Sequence, residues 1–103
     1  MQNPKPLREF LKTAKQNHGA KIDQIILFGS CARGESTEES NIDVLIAGDV
    51  TLDELIDISF PLLLKYGVYI SPHVITAGHL SYLEKEGYGF IKNVKKEGKI
   101  IYA

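Results

Sequence analysis

Apolar and polar positions alternate along this chain with two distinct periods. Leu7, Phe10, Leu11 and Ala14 recur at the spacing of one helix face, with Pro6 near the start and Gly19 just past the end. That pattern predicts a helix over residues 5–18. Residues 22–28 (IDQIILF) form a short apolar run rich in β-branched side chains and closed by Gly29, which predicts a strand. Residues 30–34 (SCARG) read as a short helical turn, and the polar residues 35–40 as a loop. A second strand is predicted over 42–47 (IDVLIA), ending at Gly48. Thr51 and Glu54 have the spacing of a capping box, so a helix should run from about residue 52 to Tyr66 and stop before Gly67. Pro61 lies inside it and is expected to kink or split it. Residues 68–76 (VYISPHVIT) predict a third strand, which Pro72 assigns to a sheet edge or a bulge. Residues 79–97 predict two helical pieces broken around Gly87-Tyr88-Gly89, and 99–102 a short last strand.

Helices and strands in this order predict an α/β (α+β) fold, a small mixed β-sheet flanked by helices. A length of 103 residues fits one domain over residues 1–103, and 44% hydrophobic residues suit a packed core. The 12 basic and 13 acidic residues give a net charge of −1, so nothing in the charge draws the chain to nucleic acid or an anionic membrane. Cys31 has no second cysteine to pair with, which fits a reducing compartment. The opening MQNPKPLREF has no signal-peptide apolar run, and no stretch is long and apolar enough to span a bilayer. The expectation is a soluble, cytoplasmic protein.

The chemistry concentrates in residues 28–46. A glycine after a buried strand permits close approach of a ligand, and a helix starting near Ser30 would turn its free N–H groups and positive dipole end towards the Gly29-Ser30 turn. That arrangement binds phosphate. Arg33 follows one turn later. The bland alternative is a strand-to-helix turn with a serine N-cap. After ten intervening residues, Asn41 and Asp43 point to one face of the predicted strand, where oxygen donors could hold a divalent cation beside phosphates. Asp43 alone could equally be a solvated strand-end aspartate.

The stretch Phe28-Gly29-Ser30-Cys31-Ala32-Arg33-Gly34, followed by Ser40-Asn41-Ile42-Asp43-Val44-Leu45-Ile46, resembles the nucleotidyltransferase signature of the DNA polymerase beta superfamily. The family has Gly-Ser-x-Ala-Arg-Gly and, after a comparable spacer, Ser-Asp-Ile-Asp-Leu. The chain has the size of the family's minimal nucleotidyltransferases. The resemblance implies transfer of a nucleoside monophosphate from an NTP, ATP foremost, to a hydroxyl with release of pyrophosphate. It implies that Gly29, Ser30 and Arg33 bind the nucleotide and that Asp43 and Asn41 stand at the catalytic and metal-binding positions, with Mg²⁺, or Mn²⁺ in its place, as cofactor. It also implies a homo- or hetero-oligomer and a HEPN-domain protein partner, the two forming a toxin–antitoxin pair.

The sequence departs from the signature twice. Asn41 replaces the first aspartate; its amide oxygen can coordinate a cation but carries no charge. The next predicted strand, VYISPHVIT, lacks the family's third acid, although Tyr69, Ser71 and His73 share one face of it. His73 reads first as a hydrogen-bonded strand histidine, metal ligation being the lesser reading, and Asp57 as an outer-face helix residue. His18 and His79 read as helix-end residues, and Cys31 as a small, at least half-buried side chain. Tyr66, Tyr69, Tyr82 and Phe90 read as core or interface aromatics, and the basic run Lys92-Asn93-Val94-Lys95-Lys96 as a solvated helix face, with a partner contact as the sharper alternative. Two functional readings follow: a nucleotidyltransferase of weakened activity, or an inactive module that binds a nucleotide or a partner. Asn41→Asp restores a negative ligand and should increase Mg²⁺-dependent ATP binding in calorimetry; an unchanged affinity would refute this account of position 41.

Overall fold

A computed structural model of the chain describes residues 4–29, 41–87 and 89–102. The amphipathic pattern at the start becomes α1 (Lys5–His18), which passes through a short 3-10 turn (Gly19–Lys21) into β1 (Ile22–Phe28). Then come β2 (Ile42–Gly48), α2 (Leu52–Tyr66), β3 (Ile70–Ile75), α3 (Ala77–Glu86), α4 (Gly89–Glu97) and β4 (Lys99–Tyr102). The sheet order is β3-β2-β1-β4. β1 pairs antiparallel with β2 and with β4, while β2 and β3 run parallel. The expected mixed sheet flanked by helices is therefore present. The predicted turn at 30–34 and loop at 35–40 lie outside the described residues.

Alternation along the strands divides the core between the two sheet faces. Ile25 and Leu27 of β1 and Ile42, Val44 and Ile46 of β2 pack with Leu7, Phe10 and Ala14 of α1 and Leu55, Ile58 and Leu62 of α2. Ile26, Leu45 and Ala47 face the other way and pack with Leu80 of α3 and Ile91 and Val94 of α4. β2 is thus covered on both faces, which explains why 42–47 reads as a nearly continuous apolar run. Every residue of β2 is buried except Asp43.

Local signals fix the element ends. Thr51 Oγ1 accepts the Glu54 N–H at 3.2 Å, and Glu54 Oε1 accepts the Thr51 N–H at 2.9 Å, completing the predicted capping box. Gly67 ends α2 with φ of 70°, the left-handed cap that favours glycine. The expected split at Pro61 does not occur: α2 runs unbroken from Leu52 to Tyr66. Pro61 and Asp57, the residue whose carbonyl it leaves without a helical donor, both face solvent, so water can serve that carbonyl. Leu55, Ile58 and Leu62 meanwhile anchor both halves of the helix in one core. The third strand is shorter than its apolar run, since Val68 and Tyr69 precede it, and Pro72 sits in it at the sheet edge as expected. α3 begins two residues earlier than the pattern suggested, where Thr76 Oγ1 accepts the His79 N–H at 3.0 Å. Lys92 and Lys96 of the basic run are exposed on α4, and Val94 between them is buried.

A polar clasp joins α1 to α2. Tyr66 donates its hydroxyl to Glu9 Oε1 at 2.6 Å, and Lys65 Nζ lies 3.2 Å from the same oxygen. The Tyr66 hydroxyl first, and then the Lys65 ammonium, hold the Glu9 carboxyl below its ordinary range. A carboxylate depressed in the folded state stabilises above its unfolded pKa, and that contribution is lost as pH falls through the folded value. The melting-temperature gap between the chain and its Glu9→Gln variant should therefore be widest at neutral pH and narrow on acidification through the carboxylate range. A gap independent of pH in thermal scans would show that the clasp does not contribute through charge.

Candidate functional site

Asp43 lies near the start of the central strand, on the sheet face covered by α3 and α4. The antiparallel register sets Phe28 of β1 opposite it, and the parallel register sets Ser71 of β3 opposite it on the other side. Phe28, Asp43 and Ser71 thus form one row across three strands. Towards the middle of the sheet Leu45 closes the face in the core, so the carboxylate stands where burial gives way to solvent. Its side chain is 32% exposed.

Gly29 follows Phe28 and turns the chain beside this row with φ of 79°. An L residue is strained in that conformation. A Cβ there would also stand 2.6 Å from Asp43 Oδ2. The backbone turn favours glycine at position 29, and any added side chain would displace the Asp43 carboxylate. The sequence motif joined these two residues by spacing; the fold brings them into contact. Asn41 is exposed immediately before β2 and two residues from Asp43. Ser30, Arg33 and Cys31 lie outside the described residues.

The other oxygen of Asp43 faces β3. His73 Nε2 is 3.6 Å from Asp43 Oδ1, and Ser71 Oγ is 3.4 Å from the same nitrogen. The His73 ring leans against Phe28, with centroids 5.3 Å apart and planes tilted by 59°. Ser71 and His73 therefore occupy the strand from which the third carboxylate is missing, and His73 is the one that reaches Asp43. Alternation in ISPHVI had placed both on one face, but only the β2–β3 register shows what they face. Among the described residues, no three His, Cys, Asp or Glu side chains converge as a metal site. The donors around Asp43 are instead one carboxylate, one imidazole and one hydroxyl, with the Asn41 amide nearby.

The other titratable groups lie elsewhere. His18 Nδ1 pairs with Glu54 Oε2 at 3.4 Å beside a groove between α1 and α2, a cavity of about 350 Å³ lined by Thr13, Asn17 and Asp57 among others. The Glu54 carboxyl is held below its ordinary range by the Thr51 backbone N–H, the Thr51 hydroxyl and, more weakly, His18. These groups stand on the face of the sheet opposite Asp43. No helix among the described residues is long and apolar enough to cross a membrane.

A family model described as a nucleotidyltransferase domain matches residues 7–101. The chain is 44% identical over 102 residues to a Methanocaldococcus jannaschii protein that carries the provisional name of a protein adenylyltransferase, a match covering 99% of this chain and 100% of the other. A crystal structure of a toxin–antitoxin with AMP-PNP superposes with a TM-score of 0.63 at 20% identity, over 93% of this chain and 72% of that one. A variant of the MntA–HpeT toxin–antitoxin superposes with a TM-score of 0.57, also at 20% identity, over 100% of this chain and 74% of that one. At such identities the structural likeness concerns the fold.

Gly29→Ala should cost about 1–2 kcal/mol of stability in urea unfolding and also weaken ATP binding, because the new methyl displaces the Asp43 carboxylate. Gly67→Ala is the control: the backbone there is strained similarly but opens on empty space, so stability should fall and ATP binding persist. Equal ATP binding by the two variants would refute the role given to the Gly29–Asp43 contact.

Proposed function

This chain belongs to the nucleotidyltransferase domain family, and on that premise we propose that it transfers AMP from ATP to a hydroxyl of a partner protein, at a rate lowered by Asn41. The observation that carries the reading is the Gly29–Asp43 contact, which sets a carboxylate against the family's phosphate-binding turn. The near full-length likeness to a relative named for protein adenylylation supports the choice of ATP and of a protein acceptor. From the resemblance to minimal nucleotidyltransferases we take the partner to be a HEPN-domain protein and the chain the antitoxin of the pair, both working in the cytoplasm, where ATP is available.

In this reading Gly29, with Ser30 and Arg33, cradles the triphosphate, and Asp43 faces the α-phosphate. The acceptor oxygen bonds to the α-phosphorus, the bond from that phosphorus to the bridging oxygen breaks, and pyrophosphate departs. The acceptor proton passes to water or to an adjacent base. The protein's share is positioning and charge stabilisation, as in phosphoryl transfer generally. The residues present fit a divalent cation that comes with the nucleotide: Asp43 supplies a charged oxygen, and Asn41, two residues away at the open end of the same strand, a neutral one. Mg²⁺ held there would neutralise charge on the phosphates. With one carboxylate in place of two, that neutralisation rests on fewer ligands, hence the lowered rate.

A second reading is favoured by Asn41 itself: a module that binds nucleotide and partner without turnover. The two separate in one assay. The chain is incubated with labelled ATP, Mg²⁺ and the candidate HEPN-domain protein, and label on that protein is measured by mass spectrometry. Slow transfer is expected, abolished by Asp43→Ala. Absence of label at enzyme-stoichiometric concentrations, with ATP binding intact, would establish the binding module instead.

A further inference from the structure

We propose that His73 is a metal ligand occupying the place of the absent carboxylate, and that it shifts the site's preference from Mg²⁺ towards Mn²⁺ or Co²⁺. The inference rests on the reading of the Asp43 neighbourhood as a metal–nucleotide site and specifies which cation that site takes.

Three observations carry it. The first is proximity. His73 Nε2, on the strand running parallel to β2, stands 3.6 Å from Asp43 Oδ1 and 3.4 Å from Ser71 Oγ. The second is the spacing. A direct N–H···O bond draws its atoms to about 2.7–3.2 Å, and the imidazole–carboxylate pair is wider than that. Two atoms each about 2.1 Å from one cation lie about 3.0 Å apart at a right angle and about 3.6 Å apart near 120°. A cation seated between the two atoms would draw them from 3.6 Å to about 3.0 Å, a small movement of two side-chain ends. The third is support. The parallel ladder pairs Asp43 with Ser71 and Leu45 with His73, and the Phe28 ring lies against the imidazole. Both donors therefore project from hydrogen-bonded strands, and a ring restricts the histidine, which is the arrangement that holds ligands in place.

The identity of the ion follows from the donors. Mg²⁺ takes oxygen ligands, sheds water reluctantly and gains little from an imidazole. Imidazole nitrogen suits first-row transition cations, whose affinity rises from Mn²⁺ to Co²⁺ along the series. A neutral imidazole with its proton on Nδ1 presents the Nε2 lone pair to the ion. A site with one carboxylate and one imidazole therefore retains a transition cation better than a site made only of oxygens, and loses less by the change at position 41.

The test uses the full chain and metal salts, with and without ATP. Imidazole proton resonances are followed by NMR while MnCl₂ is added at sub-stoichiometric levels, and Mn²⁺, Co²⁺ and Mg²⁺ affinities are measured by calorimetry. Broadening of His73 ahead of His18 and His79 places the ion beside Asp43, Asp43→Asn should abolish it, and the affinities decide ligation. His73→Asp should reduce the ratio of Mn²⁺ to Mg²⁺ affinity at least about tenfold, and His73→Gln should weaken Mn²⁺ without gaining Mg²⁺. His73 is half exposed, so these variants open no cavity, and circular dichroism checks that they fold. If metal binding still depends on Asp43 but His73→Asp leaves the ratio unchanged, the inference is overturned and the nucleotide-site reading stands. If no metal binding depends on Asp43 even with ATP, both are overturned.

Discussion

The arrangement depends on the pairing of the central strand. β2 is held between an antiparallel neighbour and a parallel one, and both faces of it are covered. A slip of one residue in either ladder would turn the apolar set Ile42, Val44 and Ile46 to the wrong face and expose half the core. Burial therefore locks the register, and the register locks Asp43 between Phe28 and Ser71. The placement of Asp43 follows from hydrophobic packing rather than from any attraction of its own.

This explains how so small a chain presents a carboxylate at a defined place. Asp43 is the one residue of β2 that is not buried, and it stands at the end of the strand where the core stops. It keeps contact with water and escapes the desolvation that a charge deeper in the sheet would suffer. Its two oxygens look in different directions, one to the glycine turn and one to the edge strand. The turn takes a positive φ that only glycine adopts without strain, and the edge strand brings an imidazole and a hydroxyl. The polar clasp of Glu9, Lys65 and Tyr66 works on the opposite face, where it ties α1 to α2 without entering the site.

The departures from the family signature look different once the strands are paired. Read along the chain, Asn41 and the acid-free third strand are two losses. Read across the sheet, Asp43 has a nitrogen donor beside it where an oxygen donor was expected. Charge has been lost at the site while the number of possible ligands has largely been kept. In the proposed metal site, a change of that kind would bear on which cation is held and how tightly.

Periodicity alone determined the order and type of the elements, the mixed α+β class, the capping box at Thr51 and the glycine ends, because these are set by neighbours a few residues apart. The motif likewise singled out Gly29, Asn41 and Asp43, since backbone freedom and oxygen donors are properties of the residues themselves. Only the tertiary structure decided that α2 passes Pro61 unbroken, because the carbonyl freed there faces water while Leu55, Ile58 and Leu62 hold both halves in one core. It alone decided that His73 and Ser71 belong to Asp43. Alternation tells which residues of β3 share a face, but the choice of face and the residue opposite come from a parallel pairing across 15 residues of helix, which burial fixes and local sequence does not encode.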